Sequence, residues 1–126
     1  MPSELTGNSD KKPKVYISGP LTTGKPMQNV HMALDAATRL MHEGFVPFVP
    51  HLAWFWEGLY RAEFSYNDWL AWDMEWLDVC DAMLRLPGDS FGANKEARYA
   101  TNHGIPIFYS VYTLKKWFAD KDKNGS

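Results

Sequence analysis

The sequence predicts an α/β domain in which helices cover a parallel sheet of four to five strands. Three observations lead to this prediction: strand-like and helix-like segments alternate over residues 14–119, no segment repeats, and 126 residues match one ordinary domain. A strand, a crossover helix and a parallel strand form a right-handed unit, so all strands end at the same edge of the sheet. Because ligands of such sheets bind beyond that edge, the loops there are the candidates for a site.

Each predicted element follows from a local pattern. The strands are short apolar runs bounded by turn residues, at 14–18, 45–49, 82–86 and 105–109. The helices have apolar side chains spaced three and four residues apart, at 27–43, 66–79, 93–103 and 113–119. Pro47 indicates an edge position or a short strand. Residues 51–64 are aromatic and predicted to be irregular, 1–13 a polar lead-in and 120–126 a disordered tail.

Composition excludes several classes of function. A formal charge of -2 provides no field that would attract nucleic acid. No apolar run approaches the roughly 20 residues that span a bilayer, and the polar first ten residues do not resemble a signal peptide. Cys80 is the only cysteine, so neither an intramolecular disulfide nor a cysteine-rich metal site is expected. We therefore expect a cytoplasmic protein that binds neither nucleic acid nor membranes.

The first strand leads into a loop that resembles a phosphate-binding loop. In "GPLTTGKP", Gly19 to Lys25 match the pattern G-x-x-x-x-G-K-[ST], but Pro26 replaces the final Ser or Thr. Pro20 and Pro26 remove backbone N–H donors, and Pro26 also removes the hydroxyl that would bind Mg²⁺. We therefore do not expect a triphosphate site. The loop is either a turn before a helix that starts at Pro26 or another kind of ligand loop.

An acidic residue interrupts the apolar face of the helix predicted at 66–79. Asp73 falls within a stripe formed by Trp69, Trp76, Leu77 and Cys80. An unpaired buried carboxylate costs several kcal/mol or changes its protonation state. Asp73 is therefore expected to pair with a backbone amide, Arg61 or Arg85, to line a cavity, or to have a raised pKa.

A second acid follows a polar turn in "DSFGANKEARYA". Glu96 is predicted to lie in the first turn of the helix at 93–103, where the helix dipole favours an ionised carboxylate by about 0.3–1 kcal/mol. An acid near a helix start is also common for stability alone. Ser90, Phe91 and Gly92 offer a hydroxyl and unpaired N–H groups. Together, Asp73 and Glu96 suit the general acid and the nucleophile of glycoside cleavage, with a separation near ~5 Å indicating a covalent route.

These segments resemble a known superfamily. "VYISGP", "DMEWLDVCDAMLRL" and S-x-G-x-x-x-E, over about residues 14–110, are similar to the nucleoside 2-deoxyribosyltransferase superfamily, which includes 2′-deoxynucleoside 5′-monophosphate N-glycosidases. The resemblance implies a flavodoxin/Rossmann-like three-layer sandwich that cleaves the bond between C1′ and a nucleobase by hydrolysis or base exchange. It further implies that Glu96 is the nucleophile, that Asp73 protonates or orients the base, and that Tyr16 positions Glu96.

The resemblance also implies how a nucleoside or nucleotide substrate is bound. Ser90 and Gly92 would hold the 5′ end of the sugar, and the segment Ser18, Gly19, Pro20 is similar to that of the free-nucleoside transferases. Thr22 stands where the monophosphate branch has an arginine, so a phosphate requirement stays open. No metal or organic cofactor is implied, and a homo-oligomer such as a dimer is expected.

The Trp-rich segment allows more than one interpretation. "HLAWFW" packs in the core or in a dimer, or else Trp54 and Trp56 stack on a base with His51 at the rim. Two alternatives to an enzyme remain: a non-catalytic nucleotide-binding or sensing module of the same fold, and a structural protein whose segment 54–76 is an interface.

Overall fold

The structure is a computed structural model that describes residues 11–61 and 63–125. Strands and helices alternate as the sequence predicts. The elements in chain order are β1 (Lys14–Ser18), α1 (Pro26–His42), β2 (Val46–Phe48), a 3-10 turn (Pro50–Leu52), α2 (Ala53–Leu59), α3 (Tyr66–Asp78), β3 (Ala82–Arg85), α4 (Phe91–Asn102), β4 (Ile107–Phe108) and α5 (Val111–Gly125).

The sheet has four parallel strands in the order β2-β1-β3-β4. This confirms the predicted Rossmann-like sandwich, and the order corresponds to the first four strands of the flavodoxin type. The chain leaves β1 for β2 on one side and then crosses to β3 on the other, which places a topological switch point at β1. A crevice for a ligand is therefore expected beyond the carboxyl end of β1, between the loops that follow β2 and β3.

Helices cover both faces of the sheet. Val15 and Ile17 point towards α1 and α5, whereas Tyr16 packs with Leu77 of α3 and Ala100 of α4. Successive side chains of a strand point to opposite faces, so Ser18 shares the face of Tyr16. This alternation brings two hydroxyls of β1 to the face covered by α3 and α4.

Local sequence explains where the helices begin. Pro26 occupies the first turn of α1, where its missing N–H leaves no partner unsatisfied. Ser65 and Asp68 form a reciprocal capping box at the start of α3, with hydrogen bonds of 2.9 and 3.1 Å. The Ser90 hydroxyl caps α4 by accepting a hydrogen bond of 3.1 Å from the amide of Ala93.

The structure corrects several predicted boundaries. The segment at 51–64, expected to be irregular, contains the 3-10 turn and α2, because Trp56 packs edge-on against Trp69 and Trp72 of α3. Such packing overrides a weak helix propensity. α4 begins two residues before the predicted start. α5 continues through residues 120–125, where a disordered tail is expected from the sequence. Residues 1–10 of the expected lead-in lie outside the described residues.

None of the helices in residues 11–61 and 63–125 combines the length and the apolar character needed to cross a bilayer.

Candidate active site

A cavity of about 360 Å³ lies beyond the carboxyl ends of β1, β2 and β3, where the topology predicts a site. The loops that follow these strands and the amino-terminal half of α3 form its walls. The lining residues are Gly19, Leu21, Thr22, Thr23, Pro50, His51, Ala53, Trp54, Glu57, Tyr66, Trp69, Leu70, Asp73, Ser90, Phe91, Gly92, Ala93 and Glu96.

Glu96 is held by two hydroxyls of β1. The Tyr16 hydroxyl donates a hydrogen bond of 2.9 Å to Oε2, and the Ser18 hydroxyl donates one of 2.7 Å to Oε1. Glu96 is 7% exposed, and Tyr16 and Ser18 are fully buried. Both carboxylate oxygens are therefore fixed in a largely dry environment, as a preorganised reacting group requires.

The prediction that a helix terminus stabilises Glu96 is wrong. α4 begins at Phe91, so Glu96 is its sixth residue and the first turn contains no acid. The influence of the helix dipole is confined to the first turn. Burial raises the pKa of Glu96 above its ordinary value, and the hydrogen bonds from Ser18 and Tyr16 oppose this effect by favouring the ionised form.

Asp73 faces the same cavity. Burial raises the pKa of Asp73 to about 8, assisted by the negative charge of Glu96 and by a hydrogen bond to that carboxyl. This confirms that the acid within the apolar stripe lines a cavity and titrates high. The guanidinium of Arg85 instead donates to the carbonyls of Leu86 and Gly88 and to Asn94. Arg61 is exposed, and among the described residues neither arginine pairs with Asp73.

Burial raises the pKa of both carboxyls, but their surroundings differ. At Glu96 the hydrogen bonds from Ser18 and Tyr16, the interaction with Asp73 and the charge of Arg85 oppose the effect of burial, whereas every contribution at Asp73 raises its pKa. The surroundings therefore favour the proton on Asp73 and the ionised form of Glu96. Burial raises the pKa of Tyr16 well above its ordinary value, so its phenol stays a donor. We call Tyr16, Ser18, Asp73 and Glu96 the carboxyl cluster.

The loop residues expected to bind substrate fall into two groups. The cavity is lined by Gly19, Ser90 and Gly92 but not by Pro20. Pro20 packs against Gly88, and a Cβ added at Gly88 would lie 2.7 Å from the Cγ of Pro20. The Ser90 oxygen already accepts the capping bond of α4. The amides of Phe91 and Gly92 have no partner within the helix and are available to a ligand.

His51 and the nearby tryptophans differ in part from the prediction. His51 lines the cavity but is only 3% exposed, so it is a buried wall residue rather than a rim residue. Trp54 lines the cavity, whereas Trp56 packs on α3 and does not. Burial lowers the pKa of His51, although the nearby carbonyls of Gly19 and Pro20 oppose this effect. Those contacts lack hydrogen-bond geometry, so both ring nitrogens are without a partner among the described residues.

Sequence reasoning missed Glu57, Tyr66 and Trp69 as site residues. Glu57 follows Trp54 by three residues, which is one helical turn, but the segment was expected to be irregular. Trp69 was assigned to an apolar stripe that includes Asp73, and the structure shows that this part of the stripe faces a cavity. A helical interpretation of residues 53–59 would have identified Glu57.

Metal chemistry has no ready ligand set in the described part of the chain. No three His, Cys, Asp or Glu side chains within it converge as metal ligands.

Fold and cavity define a Rossmann-like α/β domain with a buried glutamate and a half-buried aspartate at its topological switch point. A family model described as "Domain of unknown function (DUF4406)" matches residues 13–109, which include every residue of the cavity and of the carboxyl cluster. Because this match covers more than half of the chain, the protein belongs to the DUF4406 family. The search of curated proteins gave no match.

Proposed function

We propose that this protein cleaves the N-glycosidic bond of a nucleoside, deoxynucleoside or nucleoside 5′-monophosphate through a glutamate nucleophile. One observation carries the proposal: a buried glutamate with both oxygens held by hydroxyls shares its cavity with an aspartic acid whose pKa burial raises to about 8. Two carboxyls whose environments separate their protonation states are suited to act as nucleophile and acid. The resemblance to nucleoside 2-deoxyribosyltransferases supports the same reaction.

The proposed reaction has two steps. The Glu96 carboxylate attacks C1′, the bond between C1′ and the base nitrogen breaks, and Asp73 transfers its proton to the departing base. The product is a glycosyl ester of Glu96. Water then attacks C1′ and gives a proton to the Asp73 carboxylate, which restores both groups. If a second base attacks instead, the outcome is base exchange.

The closeness of the carboxyls supports the covalent route. The two carboxyls are near enough for Glu96 to contribute to the raised pKa of Asp73. Direct attack by water needs carboxyls about 6.5–9.5 Å apart, so that a water molecule fits between acid and base, whereas a covalent route needs about 5–5.5 Å. Carboxyls near enough to influence each other's pKa in this way favour the covalent route. The cavity volume lies within the range of about 300–1,000 Å³ for small-molecule sites.

The experiment is an assay of base release from nucleosides, deoxynucleosides and their 5′-monophosphates. We expect release with the natural protein and a loss of at least about 10³-fold in kcat for Glu96→Ala, because this change removes the carboxylate that attacks C1′. Mass spectrometry of protein quenched during turnover should show one sugar attached to Glu96. Release that persists in Glu96→Ala would contradict the assignment of the nucleophile.

The same experiment separates an enzyme from a nucleotide-binding module. A module would be stabilised by nucleotides without turnover, and Glu96→Gln would bind them as well as the natural protein. The raised pKa of Asp73 supports the enzyme, because a binding site gains nothing from an acid poised to transfer a proton near neutral pH.

We also propose that the protein forms a homo-oligomer. Phe55, Leu59 and Tyr60 of α2 and its carboxyl end are exposed apolar side chains beside the cavity, and Phe91 at the start of α4 is also exposed. Such a patch favours association. Sedimentation analysis of the natural protein and of Leu59→Glu should show an oligomer that the charge dissociates; a monomer in both would contradict it.

A further inference from the structure

The cavity has two chemically different ends. Because β1 lies between β2 and β3 in the sheet, the loops after β2 and β3 lie on opposite sides of the carboxyl cluster. At the β3 end, the start of α4 presents the amides of Phe91 and Gly92, which donate hydrogen bonds. At the β2 end, the cavity is walled by His51, Trp54, Glu57 and Trp69, which we call the α2 wall.

Unsatisfied polar atoms are concentrated in the α2 wall. In the described part of the chain, the buried side-chain nitrogens and oxygens without a hydrogen-bond partner are both ring nitrogens of His51 and the indole N–H of Trp69. An unsatisfied buried polar group costs about 1–3 kcal/mol. Protein atoms cover these nitrogens in this structure, so a ligand supplies their partners once the wall side chains rotate.

Glu57 adds an acceptor to this wall. Its carboxylate lines the cavity one helical turn after Trp54, and it forms no hydrogen bond or ion pair with any described residue. A carboxylate accepts hydrogen bonds and repels the oxygen of a carbonyl. The α2 wall therefore combines an acceptor at Glu57 with a donor at Trp69, beside the aromatic surface of Trp54.

The reaction fixes which part of a substrate meets this wall. With C1′ at Glu96, the hydroxyl-bearing end of the sugar finds hydrogen-bond donors at the start of α4. The base then extends from C1′ in the other direction, towards α2. A planar base suits the ring of Trp54, and its polar edge meets Glu57 and Trp69.

We propose, building on the proposed function, that Glu57 makes this site selective for nucleobases that carry an exocyclic amino group next to an unprotonated ring nitrogen. The amino group donates to the Glu57 carboxylate, and the ring nitrogen accepts from the indole N–H of Trp69. A base with a carbonyl and a ring N–H at these positions has an acceptor where the amino base has a donor, and a donor where it has an acceptor. Its carbonyl oxygen faces a carboxylate, and its N–H faces a donor. A glutamate that accepts from the amino group of cytosine is a known form of base recognition.

The experiment uses matched nucleosides that differ at this edge: 2′-deoxyadenosine against 2′-deoxyinosine, and 2′-deoxycytidine against 2′-deoxyuridine. We expect kcat/KM to favour the amino member of each pair by at least tenfold, since reversed hydrogen-bond partners are strongly rejected. In Glu57→Gln the ratio should fall towards one, because an amide side chain both donates and accepts. Glu57→Asp, which keeps the carboxylate, should keep the direction of the preference.

Glu63→Gln is the matched control, because Glu63 is exposed and lies outside the cavity lining. It should keep the ratio of the natural protein. Equal cleavage within each pair, or a preference that survives Glu57→Gln, would overturn the inference while leaving the proposed function intact.

If neither nucleosides nor their 5′-monophosphates are cleaved, the proposed function fails and calorimetric binding decides the inference separately. Tighter binding of 2′-deoxyadenosine than of 2′-deoxyinosine, lost in Glu57→Gln, would support the role of Glu57. Equal binding, or no binding of either, would overturn it.

Discussion

The carboxyl cluster and the α2 wall face the same cavity but differ in how their polar groups are satisfied. In the carboxyl cluster, each oxygen of Glu96 accepts a hydrogen bond from a buried hydroxyl. In the α2 wall, the nitrogens of His51 and Trp69 and the carboxylate of Glu57 lack partners among the described residues.

The difference indicates two kinds of preparation for a ligand. Groups that react must already have the correct geometry and protonation, so the protein itself supplies their partners. Groups that select a ligand gain discrimination when they are satisfied only by the correct one, because the wrong ligand leaves them unpaired. Mutations in the cluster should therefore slow amino and carbonyl nucleosides alike, and mutations in the wall should change the ratio between them.

The largest effect expected from this comparison, beyond loss of the nucleophile, concerns the proton on Asp73. Since burial raises its pKa to about 8, Asp73 is protonated below that pH and loses the proton as pH rises through it. Base release should therefore fall above about pH 8. Asp73→Asn should lower kcat by about 10²–10⁴-fold and remove this alkaline limb, because an amide cannot transfer the proton.

A substrate that needs no proton provides the control for Asp73. The base of 7-methyl-2′-deoxyguanosine carries a positive charge and leaves as a neutral molecule. Its release should be nearly unaffected by Asp73→Asn, whereas release from 2′-deoxyadenosine should be lost. Equal losses for both substrates would show that Asp73 supports the fold of the site rather than donating a proton.

The sequence is sufficient to predict the sheet, the edge that carries the site and the two acids. Periodicity places Asp73 in an apolar stripe, and the alternation of strand and helix places Glu96 after β3. The partners of Glu96 are harder to predict, because Tyr16 and Ser18 lie about 80 residues away and meet it only through the register of β1 and β3. The start of α4 depends on capping by Ser90. The sequence predicts a start two residues later, which would place Glu96 in the first turn, within reach of the helix dipole.

Most of the α2 wall could not be predicted from the sequence. Aromatic residues with low helix propensity form α2 because Trp56 packs on Trp69 and Trp72, a contact between segments that no local pattern encodes. Without that helix, Trp54 and Glu57 are not seen to share a face.

The next largest effect concerns the hydroxyls that hold Glu96. Tyr16→Phe removes one hydrogen bond to Glu96 without changing the shape of the core, and we expect kcat to fall by about 10–100-fold, since a hydrogen bond to a charged group contributes about 1.5–3 kcal/mol. Ser18→Ala should act similarly. The ratio between amino and carbonyl nucleosides should not change, and a change in that ratio would contradict the separation of cluster and wall.

The smallest effect is on stability and follows from the sign of the pKa shift of Asp73. Its pKa rises from an ordinary value near ~4 in the unfolded chain to about 8 in the folded protein. Between these values the folded state binds more protons than the unfolded state, so the free energy of unfolding decreases as pH rises from about 4 to about 8. Asp73→Asn removes this loss and should stabilise the protein at pH 8 by about 1–3 kcal/mol, with little gain at pH 4. Urea denaturation at both pH values measures the difference.

Asp120→Asn, which changes an exposed carboxylate of α5, should show no comparable pH dependence. A gain for Asp73→Asn that is equal at both pH values would mean that the proton is not held on Asp73, and the cluster would lose its acid.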